Sequence, residues 1–153
     1  MRKTIAAAGA AAAMTVAAWG ASAPAAKIDA IRMQLFYASS GTLSEDVSKT
    51  PEGWWNTIIG EGAAKEPADD MLVSVVLKSA SDEANLDAPV TLTARGDKNK
   101  VLGKRVFQAV FLKNHSAVLP LLLTNVGCAG WVTVEATFAG QKKTAKVNMA
   151  CGE

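Results

Sequence analysis

At 153 residues, with 16 Lys and Arg against 14 Asp and Glu, the chain carries a formal net charge of +2. Arg2 and Lys3 supply that whole excess, so residues 26–153 are formally neutral and offer no global field to nucleic acid or anionic lipid. A single histidine, His115, rules out zinc sites and relays built on several imidazoles.

The N-terminus has three parts. Arg2 and Lys3 precede an uncharged, alanine-rich run over residues 4–20, and two small-x-small sites follow, Ala21-Ser22-Ala23 and Ala23-Pro24-Ala25. This is the pattern of a secretory signal peptide. Proline is disfavoured just after the cut, so cleavage is expected after Ala25. The run is too short and too weakly apolar for a membrane anchor. No cysteine stands at the cleavage site for lipidation, and no arginine pair marks the twin-arginine route. The expected organisation is a signal peptide over residues 1–25 and one periplasmic or secreted domain over residues 26–153, with no stable membrane insertion. The only cysteines, Cys128 and Cys151, then read as a disulfide, since an even pair in an oxidising compartment is oxidised.

The mature chain opens on alternation. Ile31, Met33, Leu35 and Tyr37 share one face, with Arg32 and Gln34 on the other, which predicts a strand over residues 28–37. Residues 50–60 carry helix signals instead. Thr50 is an N-cap, Pro51 suits the first helical position, and Gly60 can close the last turn. The expectation is a two-turn helix in a long loop, fixed to the core by Trp54 and Trp55. Met71, Val73, Val75 and Leu77 mark the next strand; Val90, Leu92 and Ala94 mark another. Gly96-Asp97-Lys98-Asn99 is a turn. Residues 106–112 predict a strand apolar on both faces, and Asn114-His115-Ser116 a turn. Residues 118–123 are almost wholly apolar, which places them in mid-sheet, although Pro120 argues for a bulge or an edge.

The last forty residues predict a hairpin, with Val132, Val134, Ala136 and Phe138 opposite Ala145, Val147 and Met149. A turn at Ala139-Gly140 opposes Val132 to Val147 and Cys128 to Cys151. A turn at Gly140-Gln141 makes the cysteines diagonal neighbours. Closing this loop of twenty-odd residues contributes roughly 3 kcal/mol in the chain-entropy model.

Seven short strands with polar turns predict an all-β, antiparallel β-sandwich. Strand count and spacing over residues 28–150 resemble the immunoglobulin-like domains of bacterial periplasmic and cell-surface proteins. The Cys…Trp…Cys arrangement of true immunoglobulin domains is missing. The run Trp55-Asn56-Thr57-Ile58-Ile59-Gly60-Glu61-Gly62 and the closing Ala150-Cys151-Gly152-Glu153 are similar to uncharacterised small secreted bacterial proteins. The resemblance implies a fold and no activity.

Candidate sites are few. Lys98, Lys100, Lys104 and Arg105 form the strongest basic cluster, able to touch phosphate, sulfate or an acidic glycan, or to guard a sheet edge. Trp54 and Trp55 read as a sugar platform or as a core anchor. Asp69 and Asp70, with Glu61 and Glu66, match no known calcium loop. No phosphate loop, nucleophile elbow or HExxH motif is present, and no cofactor or metal is expected. The favoured reading is a non-catalytic module recognising a protein or glycan through loops or an edge strand. A small carboxylate-dependent hydrolase or lyase and a subunit of a secreted assembly are the alternatives. Mass spectrometry of the exported protein is expected to find a mature N-terminus at Ala26, or else Pro24, and one non-reduced peptide pair joining Cys128 to Cys151. A chain that keeps residues 1–20, or two alkylatable thiols, would contradict this reading.

Overall fold

The computed structural model describes residues 26–49, 54–55 and 65–150, with the backbone alone at 54 and 55. In chain order the strands are β1 (Lys27–Tyr37), β2 (Thr42–Leu43), β3 (Trp54–Trp55), β4 (Asp70–Lys78), β5 (Ala84–Leu86), β6 (Val90–Arg95), β7 (Val101–Phe107), β8 (Val110–Leu112), β9 (Ser116–Leu123), β10 (Gly130–Phe138) and β11 (Gln141–Ala150). One sheet has the order β2-β1-β4-β9, a second β3-β11-β10-β6-β7, and β5 and β8 form a ribbon. Every pairing is antiparallel except that of β3 with β11. The protein is all-β.

Period-two patterning decides which faces are buried. Met33 and Leu35 of β1, Met71, Val73, Val75 and Leu77 of β4, Val90, Leu92 and Ala94 of β6, and Val132, Val134 and Ala136 of β10 have no exposed area. With Leu86, Val110 and Leu112 from the ribbon they fall in one hydrophobic core.

Three expectations are corrected. The helix over residues 50–60 is contradicted at the two residues of that stretch that are described: Trp54 and Trp55 are the strand β3, parallel to Met149 and Ala150. Two turns of helix are marginal without packing, whereas a free sheet edge offers ladder bonds to two residues of high β-propensity. The rest of that stretch lies outside the described residues. The single strand over residues 106–112 is broken at Gln108-Ala109, where the chain leaves the five-stranded sheet for the ribbon. The seven strands become eleven among the described residues, because short edge pairings leave no periodic signal.

The apolar run in β9 lies at the edge of its sheet, not in the middle. Leu119, Leu121 and Leu123 face the core, while Val118 and Leu122 are exposed. Pro120 opposes Ser74, and its carbonyl accepts a hydrogen bond from Arg105 Nη1 at 3.0 Å. Its backbone therefore points away from β4, so the absent N–H costs no ladder bond. Arg105 belongs to β7, and the two edges lie close together. A Cβ on Gly103 would sit 2.7 Å from Leu123 Cδ2, so a larger residue there would displace the end of that buried leucine.

The β10–β11 hairpin takes the first of the two registers, with Phe138 opposite Gln141 and Val132 opposite Val147. Its turn residues, Ala139 (φ 45°) and Gly140 (φ 77°), both lie in the left-handed region, as a type I′ turn requires. Alanine is strained there and asparagine is not. Ala139→Asn is therefore expected to raise stability by roughly 0.5–1 kcal/mol in denaturant titrations, with an unchanged slope. A loss of stability would contradict the turn assignment.

Candidate binding groove

Two strand edges run side by side, with no strand between them among the described residues. β11 is paired with β10 along its length, and on its other side the described residues of β3 pair with Met149 and Ala150. In a two-residue hairpin the residues flanking the turn exchange hydrogen bonds, and the pattern then alternates. Counting from Phe138 and Gln141, the N–H and C=O groups of Lys142, Thr144 and Lys146 point away from β10. No hydrogen bond is made to them by the described residues.

β1 faces this edge, and side chains satisfy much of its free side. Asp46 Oδ1 accepts the Met33 N–H at 3.0 Å, and Ser44 Oγ accepts the Leu35 N–H at 2.9 Å. At the other end Gln141 Oε1 accepts the Ile28 N–H at 3.1 Å while its Nε2 donates to the Ala26 carbonyl at 2.9 Å. Lys143 Nζ donates to the Asp29 carbonyl. Ile31 lies between these braces.

Asp46 organises the floor. Its Oδ1 also accepts from Ser48 N (3.2 Å) and Ser48 Oγ (2.7 Å), which shapes the 3-10 turn Val47–Lys49 and seats Val47 in the core with no exposed area. Its Oδ2 is buried without a hydrogen bond, with Lys49 Nζ 3.7 Å away as an ion pair.

The space enclosed is about 630 Å³, walled by Ile31, Ser48, Lys49, Trp131, Lys143 and Lys146 among others. Trp131 is 48% exposed, and Lys146 Nζ lies 4.8 Å from its ring centroid. Its position is set from behind. Gly130 has φ 66° and lies against Asp97, whose Oδ1 accepts the Trp131 N–H at 3.1 Å. The lining carboxylate Asp29 is engaged outside the groove. Lys78 Nζ lies 3.0 Å from Asp29 Oδ2, and this hydrogen bond holds the carboxyl below its ordinary pKa. Asp29 therefore stays ionised to lower pH than a free aspartate, and its pairing is lost only as pH falls through that lowered value. With Lys49 paired to Asp46 and Asp29 to Lys78, Lys143 and Lys146 leave the groove net cationic.

The residues expected from sequence scatter. Lys98 and Lys100 lie in and beside the turn Asp97–Asn99, exposed, with Lys98 at φ 53°. Lys104 and Arg105 are consecutive on β7 and so point to opposite faces. Arg105 stacks on Phe107 at 4.5 Å and bonds Pro120, so the expected basic cluster does not form one patch. Trp54 and Trp55 border the end of β11 through backbone pairing. Cys128 is exposed and is not a free thiol; Cys151 lies outside the described residues. His115 occupies a turn at φ 62°, its N–H donating to the Asp82 carbonyl at 3.0 Å. Asp70 Oδ1 accepts the Asn125 N–H, and Glu66 accepts from Ser39 Oγ, so these acids organise loops. Among the described residues no group of three metal-binding side chains exists, and no helix is long and apolar enough to cross a membrane.

Sequence reasoning missed Trp131 and its lysines. Trp131 shares the parity of the outward-facing Thr133 and Glu135, which was a usable signal; the nearness of Lys49 was not. No family model matches the chain, and no curated protein is significantly similar to it.

Asp46→Ala would leave the Met33 and Ser48 donors without their acceptor, at a cost of roughly 2–3 kcal/mol. Asp46→Asn keeps an acceptor oxygen and is expected to cost clearly less. Equal losses for the two variants in thermal unfolding would remove Asp46 from this role.

Proposed function

We propose that the chain is exported and that residues 26–153 form a non-catalytic binding module of the periplasm or cell surface, with an immunoglobulin-like β-sandwich and a protein or glycan ligand. The observation that carries this reading is the groove, where an exposed indole and three lysines stand beside a strand edge that no described residue pairs between Lys142 and Asn148. Support for the sandwich comes from the shared core and from cross-links at two places. Gln141 and Lys143 tie β11 to β1, and Arg105 ties β7 to β9. Cys128 is not a free thiol, which supports the disulfide with Cys151 expected from the sequence.

Binding is favoured over carboxylate catalysis by the state of the acids at the groove. Asp46 is occupied by backbone and hydroxyl donors and Asp29 by Lys78, so neither is placed to shuttle protons. The mature protein should therefore be screened against arrays of glycans and peptides. The double variant Trp131→Ala, Lys49→Ala is expected to weaken any ligand found by about tenfold or more while the melting temperature holds. Unchanged affinity in that variant would place binding elsewhere, and an array without ligands would sink the reading.

A further inference from the structure

We propose that the solvent face of the five-stranded sheet around Trp131 binds an acidic polysaccharide, with the indole stacked on a sugar ring and Arg95 and Lys146 meeting carboxylates. The inference rests on the binding-module reading and names the ligand class for the groove and for the face that shares Trp131, Thr133 and Lys146 with it.

Strand register lays this face out. Val132, Val134 and Ala136 are buried, so Trp131, Thr133 and Glu135 between them point to the solvent side of β10. Trp131 opposes Asn148. In the next row Thr133 lies between Arg95 of β6 and Lys146 of β11. One row further Glu135 lies between Thr93 and Thr144, with Lys104 of β7 beyond Thr93. Arg95 and Lys146 therefore stand two strands apart, roughly 10 Å at the backbone. Both are exposed, as are Lys104 and Trp131. The indole is placed by its backbone, since Asp97 Oδ1 accepts the Trp131 N–H, and its ring stays free to meet a ligand.

Charge and composition select the occupant. Glu135 is the one acid in these rows, and it is paired with Lys142. Among the described residues no carboxylate pairs with Arg95, Lys104 or Lys146, so a formally neutral domain carries three unneutralised cations on this face. Arg95 Nη1 donates to the Asn99 carbonyl at 3.3 Å, and the rest of its fork is open to a carboxylate. Lys146 Nζ lies 4.8 Å from the indole centroid, so an anion that reaches it sits beside the ring. One side of a pyranose ring is a patch of C–H groups, which an indole meets by dispersion and by removing apolar surface from water. A protein partner asks for an apolar, charge-poor surround to such a tryptophan. The positions adjoining Trp131 are Asn148, Thr133 and Lys146 instead. Hydroxyl, amide and ammonium groups around one indole suit a hydroxyl-rich, negatively charged chain.

The probes are fluorescein-labelled oligosaccharides of galacturonate, alginate and hyaluronan, titrated against the mature protein by fluorescence polarisation at low salt. A neutral dextran oligosaccharide, polyglutamate and an oligonucleotide of matching charge are the comparators. At least one acidic glycan is expected to bind more tightly than every comparator, with affinity falling as salt rises. Trp131→Ala is expected to weaken that binding by about tenfold or more, and Arg95→Ala and Lys146→Ala by severalfold each. Lys113→Ala removes the same charge from an exposed position just after β8 and is expected to leave binding unchanged. Trp131→Ala keeps the backbone bond to Asp97, so its melting temperature should hold. Should it fail to fold, Trp131→Phe, with a smaller ring, is expected to bind at intermediate strength. Unchanged affinity in Trp131→Ala, or polyglutamate bound as tightly as the glycans, would overturn the stacked sugar. Dextran bound equally well would overturn selection by charge, and a tighter oligonucleotide would make this a nucleic-acid surface. Equal losses in Lys113→Ala and Lys146→Ala would move the site off this face. Peptides bound in place of all three acidic glycans would overturn the glycan and leave the binding module standing, whereas no ligand in any arm would remove both.

Discussion

The free side of β1 is the constraint on which the rest of this structure depends. A strand over residues 27–37 has one neighbour, β4, along most of its length, and its buried side chains fix it at the margin of the core. Backbone groups in that position must find partners or bear the cost of desolvation. The partners here are side chains from two distant parts of the chain. Asp46 and Ser44 come from the loop just after β2, and Gln141 and Lys143 come from the far end of the sequence.

Those partners position everything else near the groove. Gln141 presents an acceptor and a donor together, as a strand residue would, and so holds the start of β11 against the start of β1 without pairing them as strands. Asp46 folds the Val47–Lys49 turn and thereby sets Lys49 opposite β11. The two sheets are kept adjacent but unjoined. What remains between them is a slot with lysines on its walls and, along one side, backbone groups of β11 that no described residue meets.

A similar economy holds at the opposite margin. Gly103 brings β7 against Leu123, and Arg105 then reaches the Pro120 carbonyl. That margin is closed by a guanidinium and a proline. Among the described residues the β1–β11 margin is bridged only at its ends and along β1. A carboxylate performs the parallel task at Asp97, which holds the Gly130–Trp131 backbone and so decides that the indole stands at the mouth of the slot.

Periodicity settled the long strands and the buried face of each, because alternation is a local property that every two-sided strand must show. The chain ends of the β10–β11 hairpin were narrowed to two registers, and the left-handed Ala139-Gly140 pair chose between them. Local signals failed where a neighbour decided the outcome. Helix-capping residues around Trp54 and Trp55 gave way to a sheet edge offered by residues ninety-five positions later in the chain. The apolar β9 belongs to an edge because β7, not another strand of its own sheet, covers it. The parity of Trp131 was written in the sequence. Its meeting with Lys49 and Lys143 was not, since only packing in three dimensions brings together residues whose separation along the chain carries no pattern.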